Sequence, residues 1–394
     1  MQDQLTKIND CVQINIPSII ISGGGAFNQI GTQAIRSGIK KGLVVTDPYM
    51  VENGIAQSIK RQCDSQGLKT YLYDKVTPEP TDINIKEGLQ ILRENRCDGI
   101  IAVGGGSCLD AGKGISIMAT NKGPISRYAG YNQIPYAGLP LLAVPTTAGT
   151  GSEMTRVTVI TDTEREVKMM LLDPHLLPKV AIVDYTLTLS MPKPLTAHVG
   201  VDTLTHGIEA YVSRKASNIT DALALTCVAL VGKHLVKAWQ KPNDHEARKG
   251  MMEAASLGGM AFSNSSVGLV HGMSRPLGAL FHIPHGLSNS ILLPTITSFS
   301  IDAAPKRYSL LARTLGWAKE GDDATKCCQL LIDGLEALNN LVQIPSLKDL
   351  GISKKELLES LNKMTEQALE SGSPQNNPRI PSTEEIKSLY MEAY

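Results

Sequence analysis

The sequence of 394 residues contains no Cys-x-x-Cys pair. Its seven cysteines, Cys11, Cys63, Cys97, Cys108, Cys227, Cys327 and Cys328, are scattered and odd in number. That excludes a disulfide framework or a zinc ribbon and points to a reducing compartment. Charge of one sign is missing too. Lys+Arg and Asp+Glu are both 38, and there is no long basic run. A partner held by bulk charge, nucleic acid or an anionic membrane, is therefore not expected. The opening Met-Gln-Asp-Gln-Leu-Thr-Lys has no basic stretch followed by an apolar core, so it does not read as a signal peptide. No apolar run reaches the roughly 18 residues of a membrane span. Internal repeats and low-complexity segments are absent as well. What remains is a globular composition, 42% hydrophobic and 19% charged, in a chain long enough for one large or two ordinary domains. The expectation is a cytoplasmic protein.

The first half alternates short apolar runs with polar helical stretches. Strands are expected at 18–22, 41–47, 69–73, 99–103 and 140–144, and helices at 51–66 and 82–95. The strands are continuously apolar, as in strands covered on both faces. Strands alternating with helices imply a parallel, doubly wound α/β sheet. Near residue 190 the texture changes. Pro192 and Pro194 interrupt regular structure, and beyond them long helical patterns dominate, at 222–238, 246–262, 324–341 and 354–369. An α/β nucleotide-type domain over 1–190 and an all-helical domain over 191–394 are expected.

Two loops in the first half carry ligand-binding chemistry. Gly104-Gly105-Gly106-Ser107-Cys-Leu-Asp110-Ala-Gly-Lys113 follows a strand and opens a helix. Small residues there let backbone N–H groups approach a phosphate, and the helix N-terminus adds positive potential. The spacing is neither the Rossmann fingerprint nor a Walker A loop. Pro145-Thr146-Thr147-Ala-Gly-Thr150 follows the 140–144 strand, and its hydroxyls suit a pyrophosphate or a ribose. Asp47, at the end of another strand, can accept hydrogen bonds from ribose hydroxyls and would repel a 2′-phosphate, which favours NAD over NADP. Each feature alone has a plainer explanation. Asp47 before Pro48 is a common turn former, and either loop could be a simple βα connection. Two such loops in one sheet make a ligand site the better reading.

The second half is organised around residues 268–286, which hold His271, His282 and His285 of the chain's eight histidines, together with Arg275. Imidazoles among apolar residues are costly unless paired or bound. Asp202 and His206 are spaced i and i+4, so on a helix they share one face. One carboxylate and three imidazoles suit Fe(II), with Zn(II) as the alternative. An isolated Asp-x-x-x-His pair is more often a surface or capping contact, and a lone buried histidine more often a satisfied core group; the joint occurrence shifts the balance. Pro284 breaks any helix before His285, which is expected on a turn. Glu209, three residues after His206, reads as a supporting or core-capping group.

Taken together, Val45-Thr-Asp47, the 104–113 loop, Pro-Thr-Thr-Ala-Gly-Thr at 145–150, Gly-Val-Asp-x-Leu-Thr-His at 200–206, His-Gly-Met at 271–273 and Pro-His-Gly at 284–286 resemble one family. It is the iron-containing (group III) alcohol dehydrogenases, which include lactaldehyde reductase and 1,3-propanediol dehydrogenase. The resemblance covers essentially the whole chain. It implies a Rossmann-like N-terminal domain with a parallel sheet, an all-α C-terminal domain and an active site in the interdomain cleft. It implies Asp202, His206, His271 and His285 as metal ligands. It also implies Asp47, Gly105, Gly106, Ser107, Thr146, Thr155, Val159 and Lys168 as contacts of NAD(H), to which the loop reading adds Thr147.

The activity implied is interconversion of a small primary alcohol and its aldehyde, the metal acting as a Lewis acid on the substrate oxygen and NAD(H) carrying the hydride. Homodimers or larger homo-oligomers are common in the family. Two departures stand out. Arg275 occupies the position where many members have a histidine that relays a proton. Arginine stays protonated, so it cannot take over that role but could grip an anionic substrate tail such as a sulfonate, phosphonate or carboxylate. His282 is the candidate to replace the relay. Glu79 stands where some members carry Asn near the adenine, and it is not taken as a site residue. A lyase of the dehydroquinate-synthase type would need a heavily basic pocket, for which residues 200–290 offer few candidates. A silent metal- and nucleotide-binding protein is disfavoured by the full set of ligand positions.

Overall fold

The computed structural model describes residues 11–394, and their contacts divide into two units, one of them Asn15–Leu189 and the other carrying Ser190–Tyr394. In the first unit the chain runs through β1 (Ile19–Ser22), α1 (Ile30–Arg36), β2 (Lys41–Val45), α2 (Pro48–Glu52), α3 (Ile55–Ser65), β3 (Lys69–Tyr73), α4 (Asp82–Glu94), β4 (Gly99–Gly104) and α5 (Gly106–Met118). It continues through β5 (Gly130–Tyr131), β6 (Leu141–Pro145), β7 (Val157–Asp162), β8 (Val167–Leu172) and β9 (Val180–Val183). Six strands form one parallel sheet in the order β1-β9-β6-β4-β2-β3. β4, β6 and β9 are buried along their length, as continuous apolar runs require when helices cover both faces.

Three details depart from the sequence reading, the first being β9, a sixth strand of the main sheet that was not expected. The helix expected over 51–66 is two helices, because Gly54 adopts a left-handed backbone (φ 75°) between α2 and α3. A small second sheet, order β5-β8-β7 with β7 and β8 antiparallel, was not expected at all.

The second unit is helical: α6 (Lys193–Val212), α7 (Asn218–Gln240), α8 (His245–Ser265), α9 (Leu269–Phe281), α10 (His285–Ser300), α11 (Pro305–Thr314), α12 (Ala324–Leu341), α13 (Lys354–Glu370) and α14 (Thr383–Glu392). Pro192 and Pro194 do not merely break structure. Pro192 caps α6 and Pro194 lies in its first turn, where the missing N–H has no intrahelical partner to lose. α7 is long and apolar enough, by length and composition only, to cross a membrane, although charged residues interrupt its apolar run. It nevertheless packs against α6 and α8, opens with a Ser217–Thr220 capping box and carries Asp221, Lys233 and Lys237.

Candidate functional site: a four-residue cluster and a glycine loop

α6 begins the first site. Fifteen of its residues from Thr196 to Val212 are buried, Asp202, His206 and Glu209 among them. Spacings of four and three place these side chains on one face of the helix. α9 adds His271 and α10 adds His285. Among the described residues, ligand atoms of Asp202, His271 and His285 lie within 4.8 Å of one another. His206 joins them, with Nε2 3.7 Å from Asp202 Oδ1, and His271 Nε2 is 3.6 Å from the same oxygen. The His206 ring is stacked between Phe262 at 4.4 Å and His271 at 4.8 Å. The structure thus brings all four expected residues together.

Hydrogen bonding fixes which nitrogen faces inward. His271 Nδ1 lies 2.6 Å from Glu209 Oε2, and Glu209 Oε1 accepts from the Val270 N–H at 2.6 Å. With Nδ1–H donated to Glu209, the Nε2 lone pair points at Asp202. Such carboxylate–imidazole pairs orient metal-binding histidines and raise their basicity. Glu209 is therefore the support the sequence suggested, and it grips the second helix as well as the ring. Burial pushes its carboxyl up to about 7, against the pull of the Gly268 and Val270 N–H groups. Burial, followed by the charge of His206, drives His271 well below its ordinary range, so its ring is neutral at pH 7. Burial alone would raise Asp202, but the three imidazoles and Asn289 outweigh it and hold the carboxyl below its ordinary value. A carboxylate beside three imidazoles is a donor set that fits Fe(II).

His285 is the first residue of α10, capped by Pro284, and not part of a turn as expected. This places Asn289, one helical turn on, beside it, a residue the sequence reading missed. Asn289 is fully buried, and its Nδ2 lies 2.6 Å from Asp202 Oδ1, 3.1 Å from His271 Nε2 and 3.2 Å from His285 Nε2. Gly286 lets α10 approach α6 this closely: a Cβ there would lie 2.9 Å from the His198 carbonyl oxygen and 3.4 Å from Asp202 Cβ. Gly286→Val should push His285 away from Asp202 and weaken binding of a divalent cation at least about tenfold, read by chelator competition; unchanged affinity would show that α10 yields without cost.

Arg275 lies one turn after His271 on α9, half-buried, and its Nη1 donates to Ser373 Oγ at 3.1 Å. His282 ends α9 in a left-handed conformation (φ 55°) and is exposed.

The second site belongs to the sheet unit. Adjacent strands β2, β4 and β6 end in register, Val45 opposite Ala102 and Gly104 opposite Pro145. Their carboxyl ends bring Asp47, Gly105, Gly106, Ser107, Thr146 and Thr147 into one region. Gly105 caps α5 and Gly106 starts it. A Cβ on Gly106 would lie 2.9 Å from Thr150 Cγ2, so the two loops touch. Asp47 caps α2 by accepting from the Met50 N–H at 2.9 Å, and the Cys108 thiol donates to its other oxygen at 3.3 Å. Ser107 Oγ donates to the Pro78 carbonyl.

Asp110 and Lys113, quoted in the motif but given no role there, tie α5 to the second loop. Lys113 Nζ is fully buried and donates to Ser152 Oγ (2.9 Å), Thr155 Oγ1 (2.9 Å) and the Val157 carbonyl (2.7 Å). Asp110 accepts from Ser152 Oγ (2.7 Å) and from the Val159 N–H (2.9 Å). Thr155 and Val159 are thus anchored to α5. Burial lowers the Lys113 ammonium to about 8, against the pull of Asp110 and Glu153. Lys168, on β8, pairs with Glu79 at 2.5 Å, which gives Glu79 a partner the sequence did not suggest.

The described geometry has close counterparts. Residues 17–185 match the family described as iron-containing alcohol dehydrogenase, and residues 196–394 match the Fe-containing alcohol dehydrogenase family, C-terminal. An NAD-dependent methanol dehydrogenase of Bacillus methanolicus is 35% identical over 96% of this chain and 98% of its own length. The crystal structure of a 1,3-propanediol oxidoreductase superposes with a TM-score of 0.95 at 35% identity, covering 98% of this chain and all of that one. A sulfoacetaldehyde reductase from Bifidobacterium kashiwanohense, solved with NAD+, gives a TM-score of 0.87 at 29% identity over 98% and 99% of the two chains.

Proposed function

The chain belongs to the iron-containing alcohol dehydrogenase family and is an NAD-linked alcohol/aldehyde oxidoreductase, and from that premise we propose that it reduces a short aldehyde whose far end is anionic. The observation that carries the chemistry is the convergence of Asp202, His206, His271 and His285, the residues that would hold the metal. Bound there, iron supplies Lewis acidity to the substrate oxygen and NADH supplies the hydride. Zn(II) would satisfy the same donor set.

The chain's own residues do the rest. Glu209 keeps the His271 lone pair turned inward. Asp47, Gly105, Gly106, Ser107, Thr146 and Thr147 line the nucleotide side, where backbone N–H groups at the start of α5 suit a pyrophosphate. Lys113 and Asp110 set the position of Thr155 and Val159. Lys168 would approach the ribose from β8. His282, exposed beside the cluster's third helix, is the candidate to pass a proton.

Arg275 supports the anionic tail. It is close enough to His271 for its charge to help lower that imidazole. A guanidinium cannot relay a proton at neutral pH but binds oxyanions with paired N–H groups. A related structure is named for a sulfonated aldehyde, which is the kind of substrate this reading assigns. The test is a panel of matched neutral and sulfonated, phosphonated or carboxylated short aldehydes, followed by NADH oxidation on the Fe(II)-loaded protein. Arg275→Ala is expected to lower kcat/KM for the anionic members by about tenfold to a hundredfold and to change the neutral ones little. Equal losses across the panel would remove the anionic-tail reading, and no turnover of any aldehyde by a folded, metal-loaded protein would remove the activity itself.

A further inference from the structure

Asn289 is an unusual neighbour for a metal-binding cluster. Its amide nitrogen lies where three donor atoms converge, 2.6 Å from Asp202 Oδ1, 3.1 Å from His271 Nε2 and 3.2 Å from His285 Nε2. The other end of the same amide, Oδ1, is buried and has no hydrogen-bond partner among the described residues. Such an orphaned acceptor is uncommon inside a protein. The nitrogen end is the one turned toward these donor atoms. The Asp202 carboxylate can only accept, and the His271 tautomer set by Glu209 presents a lone pair. An inward amide oxygen would meet two acceptors, the Asp202 carboxylate and the His271 lone pair.

A divalent cation reverses that preference. The two amide hydrogens carry partial positive charge and cannot face the ion, whereas an amide carbonyl is a hard oxygen ligand. A half-turn of the terminal amide exchanges nitrogen and oxygen at little steric cost, since the two ends are nearly the same size. Asn289 is held for this movement by its place on α10, one turn after His285.

We propose that Asn289 is a further residue of the metal site and serves it in two orientations. In one its amide nitrogen faces Asp202, His271 and His285. With a divalent cation bound, its amide oxygen faces the ion. This rests on the reading that Asp202, His206, His271 and His285 hold a metal.

The experiment uses Co(II) as the probe and reads affinity by chelator competition and coordination by visible absorption. The proteins are the wild type, His271→Ala, Asn289→Ala, Asn289→Leu and Asn289→Asp, each checked for folding by circular dichroism. Wild type is expected to bind about one Co(II) per chain. Asn289→Ala and Asn289→Leu should bind it about tenfold to a hundredfold more weakly, with a spectrum shifted toward lower coordination. Asn289→Asp, which offers an oxygen in either rotamer, should bind at least as tightly as wild type. Unchanged affinity and spectrum in the alanine and leucine variants would overturn the proposal while leaving the metal site intact. If those variants do not fold, Asn289→Asp decides, because about tenfold weaker binding there contradicts an oxygen ligand at this position. A wild type that binds no Co(II) would instead overturn the metal reading on which the proposal depends.

Discussion

Replacing His271 with alanine is expected to cut bound iron from about one ion per chain to a few per cent of that and to lower NAD-linked turnover at least about a thousandfold. Three features concentrate the effect on this residue. Its ring is buried, so alanine leaves a void where the imidazole stood. Its Nδ1 is committed to Glu209 at 2.6 Å, so Nε2 is oriented before any ion arrives. It also stands between the other two imidazoles, 4.8 Å from His206 and 5.3 Å from His285 between ring centroids. The substitution further strips Glu209 of a partner while leaving its Oε1 on Val270. Elemental analysis of the purified variant, with His245→Ala on the far end of α8 as control, measures the first effect directly. Full iron content in His271→Ala would mean that the cluster is not the metal site.

Lys113→Met is expected to have the largest effect on stability. Methionine fills a similar volume but leaves Asp110 buried without its nearest cation, and leaves the Val157 carbonyl and two hydroxyls short of a donor. Leaving a buried carboxylate without the nearby charge and three acceptors without a donor costs on the order of 3–5 kcal/mol, or about 10 °C in the unfolding midpoint of a unit this size. The loop carrying Ser152 and Thr155 would loosen with it, raising the KM for NADH.

The pH dependence separates this account from a simple packing defect. Burial holds the native Lys113 near 8, below its ordinary 10.5. Between those values the unfolded chain keeps the proton and the native chain has lost it. The unfolded state therefore binds more protons, and native stability rises with pH across that window, by on the order of 3 kcal/mol from this group. Urea unfolding of both proteins at several pH values should show the gap between wild type and Lys113→Met widening from pH 8 to 10.5. A gap that narrows would mean that Asp110 holds the ammonium charged.

The regular parts of the fold were legible because each had one dominant signal. β3 and α12 were located to the residue, the first by an apolar β-run between polar helices and the second by apolar residues at helical spacing. The β7–β8 hairpin was not. β7 (Val-Thr-Val-Ile-Thr-Asp) puts an apolar and a polar residue on each face and β8 (Val-Lys-Met-Met-Leu-Leu) is mostly apolar on both, so no period-2 contrast marks a buried side. The turn between them contains neither Gly nor Asn. Instead, the Asp162 side chain accepts from the Glu164 and Arg165 N–H groups, and Glu166 takes the left-handed backbone (φ 54°). The four cluster residues were readable from chemistry at helical spacing. Asn289 was not, because Pro284 made His285 look like a turn residue. Had Pro284 been read as the cap of a new helix, the i+4 relation would have pointed to Asn289. Lys113 was visible only as part of a motif, since nothing local says that a lysine will be enclosed on every side.

Three helices meet at one point, α6 through Asp202 and His206, and the consecutive α9 and α10, far from it in the chain, through His271 and His285. An ion that bonds all three acts as a bolt through the bundle, and it binds only the assembled form. Each tenfold excess of free metal over its dissociation constant then adds about 1.4 kcal/mol to the native state. If the cluster holds iron as proposed, the melting temperature of the helical unit would become a gauge of iron supply. Under iron scarcity the protein would lose mechanical integrity together with activity, and the two losses would share one binding curve.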